Sequence, residues 1–245
     1  MELIRNCSHD SSVQVAVDLD ERAVPVGIVK TAFNADGARS IKREHDGLTW
    51  YGQRLNLACN PVLSFRAYKD TFFQLRLSYK DGIPGDLGLP ITKNYRKIRN
   101  ALSHYMDIFR IDDTNFSHGD YSIDNILFMD DGVAWVMDWE NFNDKLPLEF
   151  DIIYCIIEAC YFCYKRRGVF TVGDADAAID LIKYGVGKLD MACGQILGSP
   201  AAYIRKLFME NRAVFGPQIM KYPMMNCPHG DIMAIDAFFG KRMKI

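Results

Sequence analysis

The sequence predicts an α+β protein of two lobes, a strand-rich lobe over residues 1–80 and a mostly helical lobe over residues 81–245. Short β-branched segments dominate the first part of the chain, which is typical of strands. The stretch Asp81–Gly88 (DGIPGDLG) is rich in glycine and proline and ends that pattern. After it, long segments with helical spacing of apolar residues prevail. We therefore expect the boundary between the lobes at this stretch.

In the N-terminal lobe, four strands and one helix are expected. The alternation in VQVAVDL and the β-branched VGIVKT each indicate a strand. A helix follows a cap at Asn34, because apolar residues recur at helical spacing after it. These elements together predict an antiparallel sheet with one helix. The expected strands cover residues 13–19, 26–31, 62–68 and 71–79, and the helix covers residues 38–56.

In the C-terminal lobe, two apolar runs at residues 125–129 and 133–139 are joined by the turn Asp130-Asp131-Gly132. An Asp-Gly step between apolar runs favours a β-hairpin. The rest of the lobe shows helical patterns, and the expected helices cover residues 92–109, 148–165, 174–191, 200–215 and 231–239.

Composition narrows the function classes. The net charge is −2, so no basic field favours nucleic acid. The N-terminus lacks the apolar core of a signal peptide, and the longest apolar stretch is too short to span a bilayer. The odd count of 7 cysteines favours reduced thiols over a disulfide framework. We expect a cytoplasmic protein without nucleic-acid or membrane partners, and the sequence leaves its oligomeric state open.

The most informative segment for chemistry is SHGDYSIDNILF, residues 117–128, followed by Asp138 after the predicted hairpin. The hairpin returns Asp138 alongside Asn125, and Asp120 lies in the loop before them. Phosphoryl transfer needs one carboxylate to orient the attacking hydroxyl, and a carboxylate with an amide to hold Mg²⁺ between phosphates. The segment offers both sets.

The pattern H-G-D-x-x-x-x-N, a short hairpin and then D-W-E is similar to that of the aminoglycoside phosphotransferase and choline kinase superfamily. Residues 146–152 (LPLEFDI) also resemble the family, in which a proline precedes a structural aspartate. The resemblance implies a two-lobed protein-kinase-like fold that uses ATP or GTP with Mg²⁺. It implies Asp120 as catalytic base, Asn125 and Asp138 as Mg²⁺ ligands, and His118 and Asp151 as structural residues.

The N-terminal lobe offers matching residues for the nucleotide. Lys30 lies on a predicted strand and Glu44 on the predicted helix, as in the Lys–Glu pair of the kinase-like fold. That fold covers the phosphates with a turn between its first two strands. Here the turn falls in NCSHDSS, where Ser8, Ser11 and Ser12 replace the usual glycines as nucleotide-binding candidates.

The acceptor is expected to be a small molecule with a hydroxyl group, a sugar or aminoglycoside first and an amino alcohol second. Gly119 stands where protein kinases have arginine, and the twelve residues between Asp138 and Asp151 leave no room for an activation segment. A minimal kinase with a protein acceptor, or a non-catalytic nucleotide-binding relative, is the alternative. The candidates for lining the acceptor pocket are Tyr121, Glu140 and Asp144, with Glu158, Tyr161 and Asp231 as further possibilities.

Two further patterns have simpler explanations. Cys155, Cys160 and Cys163 match the spacing of an iron–sulfur motif, but the residues between them indicate a buried helix. A second H-G-D at residues 229–231 has Asp236, not asparagine, five residues after its aspartate. We interpret it as the start of a helix.

Overall fold

The computed structural model describes residues 2–6, 12–55, 61–68, 72–109, 116–189 and 194–243. The chain divides into two compact units. The first unit comprises Met1–Asp81 together with Asp138–Asn143, and the second comprises Gly82–Met137 together with Asp144–Ile245. The sequence placed residues 138–143 in the second lobe, whereas their contacts group them with the first unit. The nucleotide-binding and acceptor-binding roles of the two lobes stay predictions.

In the described residues of the first unit, an antiparallel sheet of five strands has the order β1-β2-β3-β5-β4. The central strand β3 pairs with β2 on one side and with β5 on the other. Apolar side chains of β2, β3 and β5 pack with Ile41 of the helix to form a core. The elements are β1 (Glu2–Asn6), β2 (Val13–Leu19), β3 (Pro25–Ala32), α1 (Ala35–Arg54), β4 (Val62–Tyr68) and β5 (Phe72–Ser78).

The helix α1 begins where the sequence predicts a cap. The side chain of Asn34 accepts a hydrogen bond from the backbone N–H of Gly37 at 2.9 Å, which satisfies one of the free donors of the first turn. The side chains of Ile41, Leu48 and Tyr51 are each at most 2% exposed. The apolar spacing in the sequence therefore marks the buried face of this helix.

The second unit is mostly helical, with a small antiparallel sheet of order β6-β7-β8. The hairpin β7–β8 forms at the predicted Asp-Gly turn, where Asp130 has a φ of 54°. The helix α3 is buried along most of its length. The elements are β6 (Ile83–Pro84), α2 (Ile91–Phe109), β7 (Ile126–Met129), β8 (Gly132–Val136), α3 (Glu149–Arg167), α4 (Val172–Lys188), α5 (Gly194–Gly198), α6 (Pro200–Glu210), α7 (Arg212–Phe215), α8 (Pro223–Asn226) and α9 (His229–Met243).

The α+β class is confirmed, with an antiparallel sheet and one helix in the first unit and a helical second unit that carries a hairpin. The helix predicted over residues 200–215 is wrong as one element, because α6 ends at Glu210 and α7 begins at Arg212. The second H-G-D begins α9, as expected. No helix in the described ranges is long and apolar enough to cross a membrane.

The cysteines of the iron–sulfur-like spacing lie in the helix α3. Cys155, Cys160 and Cys163 are buried free thiols, and burial raises the pKa of each. A cluster needs deprotonated sulfur on a loop that wraps around iron, and a buried helix with protonated thiols offers neither. Cys193, the fourth cysteine of that spacing, lies outside the described residues.

Candidate active site

Lys30 lies on the central strand of the first unit and makes two ion pairs. Its position pairs with Val15 on β2 and with Leu75 on β5, so neighbouring strands hold its backbone on both sides. Its Nζ atom lies 2.7 Å from Oε2 of Glu44 and 2.9 Å from Oδ1 of Asp138. The first of these pairs is the one predicted from the sequence.

Lys30, Glu44 and Asp138 lie in one compact unit, and their charges shift the pKa values of Lys30 and Glu44. Burial opposes the charge on Lys30, but the carboxylates of Asp138 and Glu44 outweigh burial and raise the pKa of the ammonium. Burial also raises the pKa of Glu44, which is 3% exposed, while Lys30 acts in the opposite direction. A buried ion pair contributes little net stability because desolvation offsets attraction, so its presence favours a functional explanation.

The position of Asp138 depends on the residue that follows it. Trp139 is fully buried against α1, with its ring centroid 4.9 Å from that of Tyr51. Gly47 of α1 makes this approach possible, because a Cβ atom there would lie 2.9 Å from two atoms of Trp139. Asp138 itself adopts the left-handed conformation, with φ 59° and ψ 58°. The Asp-Trp step therefore anchors the chain on the helix and turns the carboxylate toward Lys30.

In the second unit, Asp120 and Asn125 lie in one loop that ends in a short 3₁₀ turn over Ile123–Asn125. The Asn125 side-chain amide donates to the Asp120 backbone carbonyl at 3.0 Å and to its carboxylate at 3.3 Å. The backbone N–H of Ser122 also donates to the Asp120 carbonyl, at 2.9 Å. The loop thus holds the Asp120 carboxylate and the Asn125 amide beside each other.

Asp151 holds the start of this loop from the helix α3. Its carboxylate is fully buried and accepts from the backbone N–H groups of His118 at 2.7 Å and Gly119 at 3.0 Å. It also accepts from the hydroxyl of Tyr105 at 3.1 Å. Burial raises the pKa of Asp151 to about 6, although these hydrogen bonds act in the opposite direction. These hydrogen bonds hold the backbone at the start of the loop, and the structural role that the resemblance implies for Asp151 stays a prediction.

His118 is buried and links the loop to Met137, the residue that follows the second strand of the hairpin. Its Nε2 atom lies 2.8 Å from the Met137 carbonyl, and its Nδ1 atom accepts from the Asp120 N–H at 3.3 Å. Because a carbonyl only accepts, the proton of the imidazole lies on Nε2. His118 therefore stabilises the loop, and its Nδ1 atom already accepts a hydrogen bond from the Asp120 backbone N–H.

A second carboxyl group of α3 lies below the same loop. Glu158 is 5% exposed, and its Oε1 atom accepts from the Tyr154 hydroxyl at 2.6 Å. Its Oε2 atom is buried without a hydrogen-bond partner in the described structure. Burial, with the charge of Asp124 added, raises the pKa of Glu158 to about 8, and the hydroxyls of Tyr154 and Ser122 oppose this. The Glu158 carboxyl group therefore keeps its proton to a higher pH than an exposed glutamate does.

The oxygen ligands that Mg²⁺ prefers are present among the predicted residues. The Asn125 amide nitrogen donates to Asp120, so the amide oxygen is the atom that can bind a cation. Asp138 is 40% exposed and offers carboxylate oxygen. No group of three or more His, Cys, Asp or Glu side chains in the described residues suits a metal on its own. Mg²⁺ usually takes one or two carboxylates and completes its shell with phosphates and water.

Several other predicted site residues lie elsewhere. Tyr121 is fully buried and donates to the Ala101 carbonyl at 2.8 Å, so its prediction as an acceptor-lining residue is wrong. Ser12 is 2% exposed, and this burial does not favour its predicted contact with phosphate. Ser8 and Ser11 lie outside the described residues. Glu140 lies in the 3₁₀ turn after Asp138, where its charge contributes to the raised pKa of Lys30.

Of the other acceptor candidates, Asp144 is exposed in the second unit. Asp231 forms an ion pair with Lys165 at 3.6 Å. The structure also adds a residue that the sequence gave no reason to select. Tyr222 donates its hydroxyl to the Gly119 carbonyl at 3.1 Å from a distance of 103 residues along the chain. No local pattern signals such a contact.

The comparisons with known proteins returned structures but no sequence relatives. No family model and no curated protein matches the sequence. The structure is similar to a thermostable mutant of aminoglycoside phosphotransferase APH(4)-Ia in a ternary complex with ADP and hygromycin B. The two share 12% identity over 93% of this chain and 90% of that chain, with a TM-score of 0.49.

The apo form of a thermostable mutant of the same phosphotransferase is also similar. It shares 13% identity over 97% of this chain and 94% of that chain, with a TM-score of 0.42.

Proposed function

We propose that this protein is a small-molecule kinase that transfers the γ-phosphate of ATP or GTP to a hydroxyl group. The observation that carries the proposal is the Lys30 ammonium between the carboxylates of Glu44 and Asp138, which come from three separate segments of the chain. Kinase-type phosphoryl transfer uses a strand lysine, a helix glutamate and a metal-binding aspartate in this way. The loop with Asp120 and Asn125 offers a carboxylate for the acceptor hydroxyl and an amide oxygen for Mg²⁺.

Lys30 is proposed to bind the α- and β-phosphates, and Glu44 to hold its ammonium in place. Asn125 and Asp138 are proposed to hold Mg²⁺, which would neutralise negative charge on the β- and γ-phosphates. Among the described residues, Asp138 already contacts Lys30, so nucleotide and metal would share that carboxylate with the lysine.

Asp120 is proposed to orient the acceptor hydroxyl and to accept its proton late in an in-line transfer. The carboxylate is part-buried and hydrogen-bonded to the Asn125 amide, and the loop around it is fixed by Asp151. Because the transition state of phosphoryl transfer is loose, positioning contributes more than proton abstraction.

The acceptor class that we propose is a sugar or aminoglycoside hydroxyl, with an amino alcohol second. The loop carries the carboxyl groups of Asp120 and the exposed Asp124, and the charge of Asp124 contributes to the raised pKa of the buried Glu158. An acceptor that carries an ammonium group would be attracted by this charge. Glu140 and Asp144 remain candidates for contacting the acceptor.

The first experiment measures thermal unfolding with ATP, GTP and ADP, with and without Mg²⁺. At a nucleotide concentration of about a hundred times Kd, binding adds about 2.7 kcal/mol to the free energy of unfolding. This raises Tm by about 5–10 °C for a chain of this size. We expect the Mg²⁺-dependent part of the shift to vanish in Asp138→Ala. The control is Asp46→Ala, an exposed aspartate of the same unit, which should keep the full shift. An equal magnesium dependence in Asp138→Ala would refute the ligand assignment.

The second experiment measures nucleotide consumption with hygromycin B, glucose, choline and casein as acceptors. We expect Asp120→Ala to lower kcat at least a hundredfold while nucleotide affinity stays within about twofold. Transfer to casein alone would favour the protein-acceptor alternative. A wild-type protein that neither binds nucleotide nor consumes it would refute the proposed function.

A further inference from the structure

The peptide unit between Gly119 and Asp120 is held by side chains on both of its polar edges. Its carbonyl, from Gly119, accepts the Tyr222 hydroxyl at 3.1 Å. Its N–H, from Asp120, donates to Nδ1 of His118 at 3.3 Å. Because a peptide unit is planar, two hydrogen bonds on opposite edges fix its rotation. The position of the Asp120 Cα atom, which lies in this plane, is then set as well.

Gly119 is the point at which this peptide would otherwise rotate. Its φ is 82°, in the region that glycine enters at little cost and other residues rarely adopt. Glycine also has the widest conformational freedom of any residue, so an unheld Gly119 would let the loop sample other directions. The Gly119 N–H donates to the Asp151 carboxylate, and the Gly119 carbonyl accepts from the Tyr222 hydroxyl. The peptide units on both sides of Gly119 are therefore restricted.

Tyr222 is itself rigid. It lies between the 3₁₀ turn Gly216–Lys221 and α8, and it is 6% exposed. Its ring packs against the rings of Phe208 and Phe215, with centroids 4.7 Å and 5.1 Å away. It also meets the ring of Tyr154 edge-on at 5.8 Å. Aromatic neighbours on several sides leave the hydroxyl one direction, toward the loop.

We propose that Tyr222 is a positioning residue for Asp120, acting through the Gly119 carbonyl; this rests on the proposed kinase function. The next peptide is held separately, because the Asp120 carbonyl accepts from Ser122 and Asn125. With both flanking peptides fixed, the carboxylate is presented in one direction to the acceptor hydroxyl. The short helices around residues 212–226 thereby have a role in catalysis, although none of their side chains is assigned to contact substrate.

The test compares Tyr222→Phe with Tyr203→Phe. Each change removes one hydroxyl from the second unit, and Tyr203 donates instead to Glu149, at 3.3 Å. We expect Tyr222→Phe to lower kcat about 10- to 100-fold, since small misplacements of a reacting group have effects of this size. The Kd for Mg-ATP should stay within about twofold, and Tyr203→Phe should match the wild type in both.

Amide hydrogen exchange of the peptide covering residues 118–122 provides a readout that does not depend on turnover. We expect exchange at least tenfold faster in Tyr222→Phe than in the wild type or in Tyr203→Phe, with the rest of the unit unchanged. Unchanged exchange, or faster exchange with unchanged kcat, would refute the positioning role while leaving the proposed function intact. A wild-type protein without turnover on any acceptor would overturn both proposals, since no reaction would remain to be positioned.

Discussion

Replacing Glu158 by glutamine should remove a large pH dependence from the stability of this protein. Glu158 is buried at 5% exposure, and its pKa is raised to about 8 from an ordinary value of 4.5. The folded state therefore holds a proton on this group over a range in which the unfolded chain has lost it. By linkage, stability is fully present below about pH 4.5 and falls as the pH rises through 8.

The size of the effect follows from the difference between the two pKa values. A difference of about 3.5 pH units corresponds to about 5 kcal/mol if it is realised in full, at about 1.36 kcal/mol per unit. Asp124 contributes part of the shift, and it is exposed, so solvent screens its charge. We therefore expect the free energy of unfolding of the wild type to fall by about 2–5 kcal/mol relative to that of Glu158→Gln between pH 5 and pH 8.5.

The assay is denaturant unfolding of both proteins at half-unit steps of pH. Glutamine keeps the oxygen that accepts from Tyr154, and it carries no charge at any of these pH values. The plots of unfolding free energy against pH for the two proteins should therefore meet near pH 5. Asp151 titrates in both proteins and cancels in the difference. Glu210→Gln makes the same chemical change at a side chain that is 54% exposed, and it should follow the wild type. Parallel curves for wild type and Glu158→Gln would refute the reasoning.

Two further predictions concern the scaffold. Gly47→Ala should lower stability by about 1–3 kcal/mol in thermal unfolding and weaken the Mg²⁺-dependent nucleotide shift, because the new Cβ would clash with Trp139 beside Asp138. Gly187→Ala, a helix position with open space, should be neutral or stabilising, and equal losses in both variants would contradict this explanation. Asp174→Ala should cost about 2–4 kcal/mol at pH 7, since this buried carboxylate accepts from Thr171, Thr92 and Arg167. Burial opposes the charge on Asp174, but these hydrogen bonds outweigh burial and lower its pKa. The loss of stability in Asp174→Ala should therefore shrink as the pH falls below about 4. A difference from wild type that stays constant with pH would contradict this explanation. The exposed Asp176 provides the control variant Asp176→Ala.

The sequence predicted those features that depend on neighbours along the chain. The cap at Asn34, the buried face of α1 and the hairpin at Asp131-Gly132 each follow from a few adjacent residues. The pairing of Lys30 with Glu44 was predicted from the resemblance together with a strand and a helix of known order. The assigned roles of Asp120, Asn125 and Asp138 stay predictions, although the structure gives Asp120 and Asn125 a common loop.

Other features depend on contacts that no local pattern reveals. The burial of Tyr121 follows from the packing of α2 against its loop, so its place beside Asp120 in the sequence was misleading. The ion pair between Lys30 and Asp138 requires the left-handed turn at Asp138 and the anchoring of Trp139 on α1. Tyr222 reaches Gly119 only because several short helices return the chain to that loop. Distances of about a hundred residues along the chain separate both pairs.

The residue before Asp138 is held by backbone hydrogen bonds to the loop of Asp120 and Asn125. The N–H of Met137 donates to the Asn125 carbonyl at 2.8 Å, and the Met137 carbonyl lies 2.8 Å from Nε2 of His118. Met137 is thus fixed to this loop through both of its backbone groups. Asp138 is the next residue, and consecutive Cα atoms are about 3.8 Å apart. Asp138 is therefore linked, through the residue before it, to the loop that carries Asn125, and this supports the proposal that both residues bind Mg²⁺.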